Sequence, residues 1–152
     1  MTQDATKTRC GDRIVGFSVL LENRVGGLLD LVRTLDAAGI HVLGHSMQNV
    51  GEFSVVRFVP DDPESLRRVL ADSGLTFAES GLIVVEISGP PNLKGVLAAV
   101  LQAECNIDYT FPLLTRHSGK FLLALHTEEE EYAAAALNVA GYRVVARSDI
   151  CR

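Results

Sequence analysis

The chain has 152 residues, the length of one ordinary domain or of two very small ones. Its 47% hydrophobic and 22% charged residues exclude a disordered or collagen-like chain. The formal charge of -5 argues against a DNA or RNA partner, because such a partner requires a basic face. The longest aliphatic run, Val96 to Leu101, is too short for a membrane span, and the N-terminus lacks the apolar stretch of a signal peptide. We therefore expect a cytoplasmic protein with no membrane partner.

The first elements of the chain follow a strand, helix, strand, strand order. In residues 17–21, Phe17, Val19 and Leu21 alternate with Ser18 and Leu20, which predicts a strand. Turn residues separate this strand from an apolar series of helical spacing at residues 28–35. Gly39 ends that helix. Residues 40–47 and 53–59 then predict two strands joined by a tight turn, that is, an antiparallel hairpin.

A second helix begins after the hairpin. Asp62 can cap the free helix amides, and Pro63 fits the first helical turn. Gly74 ends this helix, and residues 75–77 predict a short closing strand. The order of elements is therefore β-α-β-β-α-β.

The same order recurs with a period of about 67 residues. Four landmark pairs are 67 or 68 residues apart: Gly27 and Gly95, Ile40 and Ile107, Phe53 and Phe121, and Gly74 and Gly141. The second copy predicts a strand at 82–87, a helix at 96–103, hairpin strands at 107–114 and 121–127, a helix opened by Glu128 to Glu131, and a closing strand at 143–146. We expect an α+β fold of two ferredoxin-like units with antiparallel sheets and helices on one face. The predicted division is a flexible tail at residues 1–12 and domains at 13–80 and 81–152.

Two sequence stretches carry a likeness to a known family. The stretch FSVLLENRVGGLLDLVRTLDAAGIHV, followed by EFSVVRFVPDDPESLRRVLADSGLTF, resembles an ACT domain. Over roughly residues 14–147, the chain resembles the small standalone bacterial proteins made of two ACT domains. The resemblance implies a non-catalytic regulatory module that binds an amino acid at an interface between two such units, through the loop after the first strand and the start of the first helix.

The resemblance, with the affinity of helix N-terminal amides for a carboxylate, implies candidate ligand-binding residues in both copies. They are Asn23, Arg24, Val25, Gly26, Gly27, Leu28 and His41 in the first copy, and Pro91, Asn92, Leu93, Lys94 and Gly95 in the second. Val25 stands where the family usually has proline, which leaves a less rigid turn. The second loop, GPPNLKG, lacks the Pro-Gly pair followed directly by the helix, so the first site is the stronger candidate.

The sequence does not predict a metal site or a catalytic site. His41 and His45 are four residues apart in a predicted strand, a separation of about 13 Å, so they cannot share one metal ion. Cys10, Cys105 and Cys151 have neither disulfide-framework nor zinc spacing. Nucleophile, metalloprotease and phosphate-loop motifs are missing, and we expect no cofactor and no enzyme activity.

Three alternatives in function remain to be compared. An amino-acid-binding regulator would act in trans on a partner such as an enzyme, and a ligand-free dimeric scaffold of the same fold would only bind a partner. RNA-recognition domains share the strand order, but the middle strands FSVVRFV and KFLLALH are mostly aliphatic. A homodimer is expected in either of the first two cases, because edge strands and apolar strand faces would otherwise be exposed.

Overall fold

The computed structural model describes residues 13–151, and the predicted tail at residues 1–12 lies outside this range. The chain forms two compact units. The N-terminal unit comprises Val15–Ser80 and also Cys151, and the C-terminal unit comprises Gly81–Ile150 and also the two described residues that precede Val15.

The N-terminal unit has the predicted order of elements. They are β1 (Ile14–Glu22), α1 (Gly27–Ala37), β2 (Val42–Val50), β3 (Phe53–Pro60), α2 (Pro63–Asp72) and the first part of β4 (Thr76–Ile87), whose residues from Gly81 onward belong to the C-terminal unit. The strand order is β2-β3-β1-β4. β3 is antiparallel to both neighbours, with Phe58 opposite Phe17 on β1 and opposite His45 on β2. The α+β fold class is therefore confirmed.

The helix ends in this unit follow from the capping residues of the sequence. The Asp62 side chain accepts a hydrogen bond from the Ser65 amide at 3.2 Å, as its position predicts, and Pro63 is the first helical residue. After α1, Gly39 adopts a φ of 74°, and the next amide, that of Ile40, returns to the Leu35 carbonyl at 2.9 Å.

The core of the N-terminal unit lies between the helices and one face of the sheet. Alternate residues of β1 and β3 meet one stripe from each helix, at the spacing of one helical turn. The buried residues of this cluster are Phe17, Val19, Leu31, Leu35, Ile40, Val56, Phe58, Leu66 and Leu70. Because both helices contribute to the same cluster, they cover the same face, as predicted.

The C-terminal unit repeats this arrangement. After β4 come a 3-10 turn (Pro90–Asn92), α3 (Leu93–Gln102), β5 (Tyr109–His117), β6 (Lys120–His126), α4 (Glu130–Val139) and α5 (Arg147–Ile150). β6 is antiparallel to both β4 and β5. The core residues are Ile83, Val85, Val96, Ala99, Val100, Leu123, Leu125, Ala133 and Leu137.

β4 corrects one detail of the sequence interpretation. Separate strands are predicted at residues 75–77 and 82–87, but one strand runs through Thr76–Ile87. The intervening residues Ala78 to Gly81 are extended and form part of this strand. Within the C-terminal unit, Ile83 to Ile87 of this strand pair with β6.

The closing strand of the second copy is shorter than predicted. Between residues 143 and 146 only one bridge forms, with Val144 opposite Val85. It is flanked by hydrogen bonds from the Glu86 amide to the Arg143 carbonyl at 2.9 Å and from the Val145 amide to the Val84 carbonyl at 2.8 Å. α5 begins immediately afterwards, with its Asp149 carboxylate accepting from the Ala146 amide at 2.8 Å. None of the helices in residues 13–151 is long and apolar enough to cross a membrane.

Candidate functional site

The loop between β1 and α1 is anchored to the β2–β3 hairpin. The Asn23 amide donates to the Glu52 carbonyl at 2.8 Å, and the Asn23 side-chain amide donates to the Gly51 carbonyl at 3.0 Å. The register places Glu22 opposite Phe53, so the end of β1 and the start of β3 lie side by side. The loop is therefore anchored through both the backbone and the side chain of Asn23.

The N-terminus of α1 has no side-chain cap. Gly26 occupies the N-cap position with a φ of 81°, in the left-handed region that favours glycine. The first helical hydrogen bond joins the Asp30 amide to the Gly26 carbonyl at 3.0 Å. The amides of Leu28 and Leu29 belong to the first turn, where an α-helix offers no carbonyl of its own. Such amides, with the positive end of the helix dipole, are suited to a carboxylate.

Arg24 spans the start of the helix instead of extending into solvent. Its guanidinium pairs with the Asp30 carboxylate at 2.7 Å, although both side chains are half exposed. Gly27 lies beneath this pair, and a Cβ there would stand 3.4 Å from the Glu22 carbonyl oxygen and 3.8 Å from the Arg24 Cγ. These are ordinary van der Waals distances, so the loop backbone and the Arg24 side chain already pack closely around Gly27.

A depression of about 280 Å³ lies beside this helix end. Loop and helix residues line one side, and strands β2 and β3 line the other. The lining residues are Leu21, Glu22, Asn23, Arg24, Val25, Gly26, Gly27, Leu28, Leu29, Met47, Asn49 and Ser54. Buried Ser54 donates to the Asn49 side-chain oxygen at 2.6 Å, which orients that amide at the wall. The first-loop residues that the sequence singles out are therefore brought together around one depression.

The sequence did not predict that the β2–β3 hairpin lines one side of the depression. Met47, Asn49 and Ser54 lie 20 or more residues beyond the loop, and their own segment reads as an ordinary strand pair. The signal that was available is topological. In the order β2-β3-β1, the hairpin turn must lie at the same end of the sheet as the end of β1.

His41 lies at the opposite end of the sheet from this depression. It precedes β2, whereas Met47 and Asn49 lie near the far end of that strand, so about 20 to 25 Å of extended chain separates them. Its imidazole Nδ1 is 2.9 Å from the buried Asp61 carboxylate, whose other oxygen accepts the His41 amide at 2.9 Å. Within this unit, one amino acid cannot contact both His41 and the loop.

The second candidate loop has a different construction. The Asn92 side-chain oxygen accepts hydrogen bonds from the Ser88 amide, at 3.1 Å, and from the Ser88 hydroxyl, so it closes its own turn. Gly95 lies inside the first turn of α3 and is covered by Tyr142, since a Cβ at Gly95 would stand 3.1 Å from the Tyr142 Cζ and closer still to the hydroxyl. The glycine at this position thus makes room for a side chain of the protein itself.

The remaining residues predicted for the second loop lie on its surface. Pro91, Leu93 and Lys94 are exposed, and Leu93 is the first residue of α3. Among residues 13–151, no group of three or more histidine, cysteine or acidic side chains is placed to hold a metal ion.

Comparison with known proteins identifies the family. The model of the ACT domain pair matches residues 13–151, and the chain belongs to this family. A protein of Bacteroides thetaiotaomicron superposes with a TM-score of 0.80 at 17% identity, covering 91% of this chain and 95% of that one. The ligand-free regulatory subunit of aspartate kinase from Thermus thermophilus superposes with a TM-score of 0.60 at 17% identity, covering 85% and 93%.

A related structure extends the same comparison. The regulatory subunit of aspartate kinase from Thermus flavus gives a TM-score of 0.53 at 20% identity, covering 86% of this chain and 94% of that one. At these identities the similarity shows a shared fold. No curated protein matches the sequence.

Proposed function

We propose that the chain is a cytoplasmic regulatory protein, without catalytic activity of its own, that binds a free amino acid and passes the bound state to a partner protein in trans. Membership of the ACT domain pair family supports the regulatory role. The fold shared with aspartate kinase regulatory subunits supports action on a separate enzyme. The observation that carries the proposal is the uncapped α1 N-terminus, which opens onto the depression of about 280 Å³.

The chemistry of the depression matches the three parts of an amino acid. The amides of Leu28 and Leu29 would receive the α-carboxylate. The Glu22 carboxylate and the Asn49 side-chain oxygen are acceptors for the ammonium group, and Met47 offers an apolar surface to the side chain. The volume is slightly below the roughly 300–1,000 Å³ of sites for drug-sized ligands, which suits a molecule of amino-acid size.

We place the ligand at the first loop and not at the second. The Tyr142 hydroxyl occupies the space over Gly95, and Asn92 already binds Ser88. By contrast, a Cβ at Gly26 would meet no atom within 4 Å. This difference between the copies supports one site per chain within the N-terminal unit.

We further propose that two copies associate as a homodimer. Leu20, Val50 and Phe53 lie on the sheet face that α1 and α2 do not cover, and their exposed fractions are 37%, 57% and 47%. Exposed apolar clusters of this kind mark interaction surfaces. Sedimentation at micromolar concentration should give twice the chain mass, and a strictly monomeric mass would contradict the dimer.

A thermal-melting screen of the free amino acids at millimolar concentration tests ligand binding. A ligand at 100 times its dissociation constant stabilises the folded state by about 2.7 kcal/mol. At roughly 2 to 4 °C per kcal/mol for a chain of this size, the midpoint should rise by about 5 to 10 °C. If no amino acid raises the midpoint while a partner protein co-purifies, the ligand-free scaffold is the correct function.

Matched variants on α1 locate the site. Leu29→Glu introduces a carboxylate at the helix start, where it is compatible with the helix dipole but competes with the carboxylate of the ligand. Val32→Glu adds the same charge three residues further along the helix, outside the lining of the depression. We expect Leu29→Glu to abolish the midpoint shift and Val32→Glu to retain it. Equal effects of the two variants would place the ligand elsewhere.

A further inference from the structure

Four charged or titratable side chains of the C-terminal unit form one cluster where residues 143–150 meet β4. The Glu86 carboxylate is 2.6 Å from the His117 Nδ1 and 3.9 Å from the Arg143 Nε. The Asp149 carboxylate is 3.7 Å from the His117 Nε2 and 3.8 Å from an Arg143 guanidinium nitrogen. His117 therefore lies between two carboxylates, and Arg143 contacts both.

Burial makes the charge of His117 important in this cluster. The Glu86 side chain is only 5% exposed and the His117 side chain 19%, whereas the Arg143 side chain is 56% exposed. A buried carboxylate is stable only when it is paired and hydrogen-bonded. Arg143 is too distant from Glu86 for a good hydrogen bond, so the close partner of Glu86 is His117.

The cluster joins three parts of the unit that are far apart in sequence. Glu86 lies on β4, His117 lies at the end of β5, and Arg143 and Asp149 flank the short segment that pairs with β4. Asp149 also accepts the Ala146 amide at 2.8 Å, which fixes the start of α5. Two backbone hydrogen bonds, one on each side of the Val144–Val85 bridge, attach this segment to β4. Because they are so few, side-chain contacts contribute substantially to keeping the segment on β4.

We infer that Glu86, His117, Arg143 and Asp149 act as a protonation-dependent clasp that holds residues 143–150 on β4. A protonated imidazolium at His117 is attracted by both carboxylates. A neutral ring keeps at most one hydrogen bond, and only Arg143 then offsets the two negative charges. The clasp therefore loosens as pH rises.

The other charged groups near His117 do not reverse this sign. Lys120 is its register partner on β6, Arg116 precedes it on β5 and lies 4.2 Å over the Phe121 ring, and Arg147 is the first residue of α5. All three are basic residues, so none of them adds a carboxylate that would compete with Glu86 and Asp149 for the imidazolium.

Hydrogen exchange tests the clasp directly. The amides of Glu86 and Val145 donate across the junction between the segment and β4, so their protection factors report its opening. With intrinsic exchange rates corrected for pH, protection of both amides in the full chain should fall about tenfold from pH 5.5 to pH 8, the equivalent of one charge-assisted hydrogen bond. His117→Gln should remove that pH dependence.

His126→Gln is the matched control in the same unit. The His126 Nδ1 is 2.8 Å from the Asp108 carboxylate, and neither residue belongs to the clasp. This variant should retain the pH dependence at Glu86 and Val145. Asp149→Asn, which can still accept the Ala146 amide, should reduce it without unfolding α5. A pH-independent wild type, or a His117→Gln variant that behaves like wild type, would overturn the proposal.

Discussion

Glu104 occupies a backbone conformation that its side chain disfavours. It follows α3 with a φ of 56°, and the next amide, that of Cys105, returns to the Val100 carbonyl at 3.4 Å. The equivalent turn after α1 uses Gly39, with a φ of 74° and the same return bond from the next residue. Replacing Glu104 with glycine should therefore stabilise the protein.

The expected change in the free energy of unfolding is the sum of two stabilising effects and one destabilising effect. Relief of the left-handed strain contributes about 1 to 2 kcal/mol, and the additional flexibility of glycine in the unfolded chain costs about 0.5 to 1 kcal/mol. Removing a negative charge from a helix C-terminus contributes about 0.3 kcal/mol or more. We expect Glu104→Gly to raise the free energy of unfolding by about 1 kcal/mol, which corresponds to roughly 2 to 4 °C in the melting midpoint.

Equilibrium urea denaturation with two controls checks this reasoning. Glu104→Gln removes the charge but keeps a side chain at positive φ, so it should gain only about 0.3 kcal/mol. Gly39→Ala makes the reverse change in the N-terminal unit and should cost about 1 kcal/mol. If Glu104→Gly is no more stable than Glu104→Gln, backbone strain at this position is refuted as the cause.

Three further variants probe packing, capping and a surface pair, each by thermal melting. Gly95→Ala forces a Cβ against Tyr142 and should cost about 1 to 3 kcal/mol, and adding Tyr142→Phe should recover part of that loss; no recovery would contradict the contact. Asp62→Ala removes the α2 cap and should cost about 1 kcal/mol, whereas Asp62→Asn should be nearly neutral. The hydrogen bond from Arg67 to Glu79 raises the pKa of Arg67 above its ordinary value, because the carboxylate stabilises the charged guanidinium. Because both side chains are 36% exposed, Glu79→Gln should cost less than about 1 kcal/mol, and that cost should shrink in 1 M salt.

The features that the sequence predicted correctly depend on local chemistry. Asp62 followed by Pro63 is a helix start wherever it occurs, and Gly39 ends a helix because it tolerates positive φ. The repeat period then extended each local assignment to the second copy. The exceptions, the continuous β4 and the shortened pairing at Val144, depend on which strands lie next to one another, which local composition does not encode.

The candidate site also contains residues of both kinds: some follow from local sequence, and others depend on strand pairing. The loop residues that line the depression are contiguous in sequence, so the family motif brought all of them into the prediction. Met47 and Asn49 reach the depression only because β2 pairs with β3 and β3 with β1, a consequence of register. His41 shows the reverse case, since it follows the same helix that begins at the loop, yet that helix carries the chain to the other end of the sheet.

The two copies have diverged in how they use equivalent glycines. A Cβ at Gly27 would make only ordinary van der Waals contacts, whereas a Cβ at Gly95 would clash with the Tyr142 ring. A ligand carboxylate needs free amides and space together, and the first copy offers both at the depression beside the α1 N-terminus. Gly95→Ala and Leu29→Glu should therefore have opposite profiles: the first lowers the melting midpoint and keeps the shift caused by an amino acid, and the second keeps the midpoint and loses the shift. If Gly95→Ala instead abolished the shift in a folded protein, the second loop would be the binding site.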